Sequence, residues 1–387
     1  MTPSFLRPLL LMALWLGLNG FIVFLLQLCL SVFSPWPTLL LSAATFAFLI
    51  FKNPLRIPWA TWPWAILGVI AFFLTMHSLH YPLGGWDAWS CWNLKAKFIY
   101  LGHEHFRAMF EPLLWRSNTH YPLLLPSINA WFWDLSGGAH TWGPMVISLL
   151  ICMMTAGILL FAILELTKDQ NIALIMTAAV FLLPFNTTLC VSQYSDILVG
   201  LYLLCAFISF YQDNLKLMGA FLGLLSFTKT EGTVAAAILA ILLIIYHRDK
   251  IKTFLPVLMI FMLPIILFTL WMAPHNEAFV NGLISLAKPS TWERLLTVLI
   301  YPVAEMISLK WNGLWIILLG MVIWQWKELT QKRLQIFGIF FAVFLSILFT
   351  YYQINTFFEI KWWLDTTLHR ILFMLMPSLF LWVALSL

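Results

Sequence analysis

Apolar runs near residues 9–33, 37–51, 62–78, 142–165, 171–191, 196–211, 215–228, 232–246, 254–273, 311–326, 334–352 and 369–387 follow one another along this chain. A helix that crosses a bilayer needs about 20 apolar residues, fewer where a neighbouring helix shields its ends. Hydrocarbon offers no water to hydrogen-bond a peptide group, so a chain of such runs must satisfy its backbone internally, as helices. The pattern predicts an all-α fold: a polytopic transmembrane helical bundle of about twelve spans, forming one domain over residues 1–387. Composition agrees, with 62% hydrophobic and only 10% charged residues, against about 25% charged in soluble domains.

The first run follows a single basic residue, Arg7, is longer than a signal-peptide core and lacks a small-residue cleavage site, so it reads as a retained span. The five cysteines (Cys29, Cys91, Cys152, Cys190 and Cys205) lie mostly in apolar segments and show no CxxC spacing, which argues against a disulfide framework or a metal knuckle. The formal charge of +5 is scattered between the apolar runs. It reads as bilayer orientation, and no nucleic-acid partner is expected.

With twelve spans, the basic connections at Lys52 to Arg56, Lys168, Lys216, Arg248 to Lys252 and Lys327 to Arg333 all fall on the side of Arg7. The positive-inside rule then places both termini in the cytoplasm. Asp87, Asp196, Lys229, Glu231, Arg370 and every histidine except His247 fall at the outer surface. Three outer segments are expected to be large, at residues 79–141, 274–310 and 353–368. The first should contain interfacial helices, because Trp89, Trp92, Ala96 and Ile99 share one helical face while Ser90, Asn93 and Lys97 share another. The stretch HYPLLLPSINAWFWDLSG from His120 reads as a second interfacial helix, with Trp131 and Trp133 suited to an aromatic belt. No internal repeat, soluble domain or low-complexity tail is apparent.

Ionisable residues at a membrane boundary are costly when desolvated, which makes each a candidate for function. Asp87, in LGGWDAWSCW, suits a helix N-cap, a general base at a cavity mouth, or both. Asp196, in SQYSDILVGLY, reads locally as a cap for the span that follows it. In FTKTEGTV, Lys229 and Glu231 occupy a connection between two apolar helices, with Gly232 allowing a tight turn. That connection is either a solvated hairpin tip or a point charge for a phosphate. His369 and Arg370 stand at the start of the last apolar run, where Arg370 suits an interfacial anchor and a bidentate phosphate ligand equally. His103, Glu104 and His105 are competent metal ligands, but adjacent positions cannot all face one ion on a regular helix, and no metal or cofactor is expected. Nucleotide-binding, hydrolase and zinc-protease signatures are missing.

In this order, WDAW with the following NLKAKFIYLG, HYPLLLP, YSDILVGLYLL, GLLSFTKTEG and TLHRILFMLMP resemble the GT-C superfamily of integral-membrane glycosyltransferases. The members it resembles are the dolichyl-phosphate-mannose protein mannosyltransferases and the lipid A aminoarabinose transferases, over residues 80–387. The resemblance implies a polyprenyl-phosphate-linked sugar donor and transfer to a lipid, polysaccharide or protein acceptor on the periplasmic face of a bacterial inner membrane, for which the chain is short and minimal. It implies that Asp87 is the catalytic base, that Asp196 and Glu231 form an acceptor or second acidic site, and that Lys229, Arg370 and Lys97 bind the donor phosphate. The chain departs from the family pattern in carrying the acidic loop after the third apolar run rather than the first, and in ending inside a span. A transporter or flippase for lipid-linked sugars, and a glycan polymerase or ligase, are the alternative readings.

Overall fold

The computed structural model describes residues 5–30, 35–52, 62–274 and 292–387, and among them every regular element is helical. Most of the predicted Lys52 to Arg56 connection, and residues 275–291 of the second outer segment, lie outside the described residues.

Each of the twelve apolar runs contains a helix. In chain order these are α1 (Leu6–Leu30), α2 (Pro35–Lys52), α3 (Trp62–His80), then α4 (Asn93–Leu101) and α5 (Leu124–Ser136) of the first long connection. They continue with α6 (Trp142–Thr167), α7 (Gln170–Phe181), α8 (Pro184–Cys190), α9 (Ser195–Tyr211), α10 (Leu215–Ser226), α11 (Thr230–Tyr246) and α12 (Ile251–Trp271). The last are α13 (Trp292–Ile307), α14 (Leu314–Trp324), α15 (Lys332–Ile354) and α16 (Ile360–Ala384).

By length and composition, six of these helices can cross a membrane. A seventh crossing is possible if α7 and α8, bent by 70° at their junction, form one broken span, and the remaining five runs contain shorter apolar helical stretches of 10–17 residues. The chain is therefore a multi-pass, all-helical membrane protein. Short length does not make a helix peripheral here. All of α9 from Ser195 to Phe210 is buried, so its neighbours shield ends that lipid would otherwise meet.

Two expected features differ. The α5 tryptophans form no outward aromatic belt: Trp131 and Trp133 are buried, Trp133 donates to the His140 carbonyl at 2.8 Å, and the Trp131 ring meets Trp15 of α1 edge-on at 5.3 Å. From Leu124 to Trp131 every residue of this helix is buried. The last helix also begins earlier than the run at 369, because Glu359 accepts hydrogen bonds from the backbone of Lys361 and Trp362 and so caps it. Most of the expected outer segment 353–368 is thus the first turns of α16.

The basic connections gather at one end of the bundle. Lys250 pairs with Asp213 at 2.6 Å, Arg333 donates to the Tyr211 carbonyl at 3.2 Å, and Glu165, three residues before Lys168, caps the start of α1 through Phe5 and Leu6. Arg7 and Lys216 line one cleft at this end.

Candidate active site

At the other end, four separate stretches of sequence meet. Gly200 of α9 lies so close to α16 that an added Cβ would stand 3.0 Å from the Met374 carbonyl. One turn away on each helix are Asp196 and Arg370, so this close approach sets carboxylate and guanidinium face to face. Arg370 Nη2 lies 2.8 Å and Nε 3.3 Å from Asp196 Oδ2, while Nη1 reaches Asp87 Oδ2 at 2.6 Å. Lys229 Nζ contacts Asp196 Oδ1 at 3.0 Å and Glu231 Oε1 at 3.1 Å. The Ser195 hydroxyl donates to the Thr228 carbonyl at 3.1 Å and so holds the starts of α9 and α11 together.

The result is a continuous row of alternating charge: Asp87, Arg370, Asp196, Lys229, Glu231. Its middle is buried and its Asp87 end is open, with side-chain exposures of 4% for Asp196, 5% for Lys229 and 26% for Asp87. Asp196 is enclosed by its partners, whereas Asp87 is partly exposed.

The loop carrying Asp87 is shaped by its two glycines. Gly84 adopts a left-handed φ of +68°, and a Cβ there would meet the Ser192 carbonyl at 2.5 Å. At Gly85 a Cβ would sit 2.1 Å from the Tyr194 hydroxyl, a space no other residue leaves free. Gly85 N donates to the Ser192 carbonyl at 3.0 Å, and Asp87 N donates weakly to the Tyr194 hydroxyl at 3.4 Å. The ring of Tyr194 also underlies the Arg370 guanidinium at 4.1 Å. One tyrosine therefore positions both ends of the Asp87–Arg370 pair.

Several local readings are corrected. Asp87 precedes a short π-helical turn, Ala88–Trp92, but its side chain makes no capping hydrogen bond. Asp196 lies inside the first turn of α9, whose N-cap is Tyr194, so its carboxylate is spent on the two cations instead. Arg370 sits well within α16 and not at its start. Gly232 lies in the first turn of α11, where an added Cβ would meet the Leu225 carbonyl at 2.3 Å, so it serves close packing rather than a turn. Lys97 stands apart from the row, 5.0 Å over the Trp89 ring. The His105 ring meets its neighbour Glu104 at 3.4 Å, and both are exposed. Asn93, expected on the solvent face, is buried: it donates to Gln193 Oε1 at 3.1 Å and accepts from Asn129 at 2.8 Å.

A second buried group was not anticipated. Lys95 is fully buried beside the row and donates to the Asn118 carbonyl at 2.6 Å. Burial lowers its pKa. The ring of Tyr121 lies between Lys95 and Lys229, 5.7 and 5.8 Å from the two ammonium groups. The signal was present, since Lys95 follows Trp92 by three residues and precedes Ile99 by four, on the buried face of α4.

Burial, with Lys95 adding to it, lowers the nearby His120 from the ordinary 6.5 to about 4. Below about 6.5 the unfolded chain binds a proton that the folded chain refuses until about 4. The stability from this group is complete above that window and is lost as pH falls through it. Thermal unfolding in detergent is expected to show this decline, and His120→Gln to flatten it; an unchanged slope in the variant would assign the titration to another group.

Comparison with known proteins finds no family model, no characterised protein and no solved structure that matches this chain. Fold and site define the class on their own terms: an all-helical, multi-pass membrane protein with a partly buried ionic row at one end of its bundle.

Proposed function

We propose that the protein is a GT-C-like membrane glycosyltransferase of about twelve spans that moves a sugar from a polyprenyl-phosphate donor to an acceptor hydroxyl or amine. The observation that supports this reading is the convergence, within ion-pair distance, of Asp87, Asp196, Lys229 and Arg370 from four separate stretches. Asp87 is the open carboxylate and acts as the base. Trp86 beside it, 84% exposed, offers a flat face on which a sugar can stack.

The charge row suits the reaction's electron flow. The acceptor oxygen or nitrogen attacks the anomeric carbon and gives its proton to Asp87, while the bond from that carbon to the phosphate oxygen breaks and leaves its electron pair on the phosphate. Protonation neutralises Asp87 and frees Arg370 Nη1, the donor that it held at 2.6 Å. That cationic edge becomes available as negative charge gathers on the departing phosphate, which is the moment at which stabilisation accelerates a reaction. Asp196 keeps the other edge of Arg370 in place, and Lys229 adds charge behind it. No step requires a nucleotide or a metal.

Transfer of radiolabelled sugar from a polyprenyl-phosphate donor in proteoliposomes tests the proposal. A flippase for lipid-linked sugars is the second reading, favoured because both cations already have carboxylate partners, as in an ion-pair gate. In the same vesicles, donor crossing the bilayer without sugar transfer would select it.

The proposed location is a bacterial inner membrane with the row facing the periplasm and both termini in the cytoplasm. In a cysteine-free background, single cysteines at His105 and Lys250 are expected to react with an impermeant thiol reagent from opposite sides. Labelling of both from outside would overturn the orientation.

A further inference from the structure

Far from the ionic row, α1 splays away from α10 and α12. The three helices are close where Gly17 meets Leu224 of α10, an added Cβ standing 2.5 Å from that side chain, and where Gly223 presses on Phe261 of α12, at 2.3 Å. From this apex, Arg7 lies ten residues along α1 and Lys216 eight residues along α10, so the cleft between them is about 12–15 Å deep at 1.5 Å per residue. Its volume is about 700 Å³. Leu10, Leu14, Leu217 and Phe261 form the walls, Arg7 and Lys216 stand at the mouth, and among the described residues no carboxylate lines it. Two acidic groups at this end of the bundle have other partners: Glu165 accepts from the backbone of Phe5 and Leu6, and Asp213 pairs with Lys250.

The shape and charge match an amphiphile with an anionic head. We infer that this cleft binds one anionic glycerophospholipid of the membrane leaflet at the basic end of the bundle, with its phosphate between Arg7 and Lys216 and an acyl chain against the leucine and phenylalanine walls. Basic pockets between transmembrane helices recognise anionic headgroups in this way, because the cations offset phosphate charge while the apolar walls replace bulk lipid around the chain. Arg7 supplies a fork that can take two phosphate oxygens, and Lys216 a point charge. The site lies at the far end of α9 from Asp196, about 25 Å away along a 17-residue helix. It is independent of the catalytic proposal.

Native mass spectrometry of the detergent-purified full chain tests the inference, with phosphatidylglycerol, phosphatidylcholine and undecaprenyl phosphate added in turn. Wild type should retain one phosphatidylglycerol per chain at concentrations where phosphatidylcholine is not retained. The Arg7→Ala/Lys216→Ala variant should weaken that retention roughly 30-fold, the combined effect of two basic side chains at an anionic head. Leu14→Trp keeps both cations but fills the wall, and should also abolish retention, which covers the case in which the double variant does not fold. A control, Arg248→Ala/Lys252→Ala, alters basic residues outside the cleft lining and should leave retention unchanged. Equal retention of phosphatidylcholine, tighter retention of undecaprenyl phosphate, or an equal loss in the control variant would each overturn the assignment.

Discussion

Asp87→Asn is expected to leave the protein folded and lower sugar transfer by about 10²- to 10⁴-fold, the usual worth of a general base. The asparagine keeps the shape of the side chain and can still accept from Arg370 Nη1 through its amide oxygen, but it cannot take up the acceptor's proton. Because the Asp87 side chain is 26% exposed and stands at the end of the row, its neutralisation leaves Arg370 paired with Asp196 and in partial contact with solvent. Thermal unfolding of the variant should therefore stay near wild type while the maximal rate collapses. Measured with saturating donor and acceptor, a rate within threefold of wild type would reduce Asp87 to a structural partner of Arg370. A proportionate loss of unfolding temperature and rate would show that the effect is folding.

The helices were legible in the sequence, because they follow from the length of the apolar runs. Pairing was not. That Arg370 meets Asp87 and Asp196 depends on the approach of α9 to α16 at Gly200, a contact between residues 174 positions apart. Hydropathy carries no information about which helices touch. The misreading of α5 has a different cause. A helix at the membrane surface and one packed within the protein both show aromatic residues, and burial of the residues around them is what tells them apart: Leu125, Ile128 and Ala130 are as buried as Trp131. Lys95 was missed because residue type outweighed position, although its spacing from Trp92 and Ile99 placed it inward. The amides of Asn93, Asn129 and Gln193 escaped notice for a related reason. Buried amides need hydrogen-bond partners, and the Gln193 side chain, at a residue with a left-handed φ of +60°, accepts from Asn93 and donates to the Pro82 carbonyl at 2.8 Å. It thereby braces the loop that presents Asp87.

Asp196 carries the second large effect, and there it is stability that should fall. Its carboxylate is 4% exposed and is the only one to contact both Lys229 and Arg370 among the described residues. Removing one member of a buried ion pair costs about 3–5 kcal/mol, chiefly because the partner's charge stays buried and uncompensated. A helix cap is worth only about 1 kcal/mol, and serine caps as well as aspartate. Asp196→Ser therefore separates the two roles: it should be nearly silent for a cap, but as damaging as Asp196→Asn if the carboxylate holds the cations. The geometry favours the second outcome, since Tyr194 occupies the N-cap position and the Asp196 oxygens point at Nζ of Lys229 and at Nε and Nη2 of Arg370. A coupled variant sharpens the test. Arg370→Gln introduced together with Asp196→Asn removes the stranded guanidinium, so the pair should be less destabilised than the two single changes added together, by the 0.5–3 kcal/mol typical of groups in one network. Additive losses would mean that the two residues do not share an ion pair, and the row of charge from Asp87 to Glu231 would have to be abandoned as a unit.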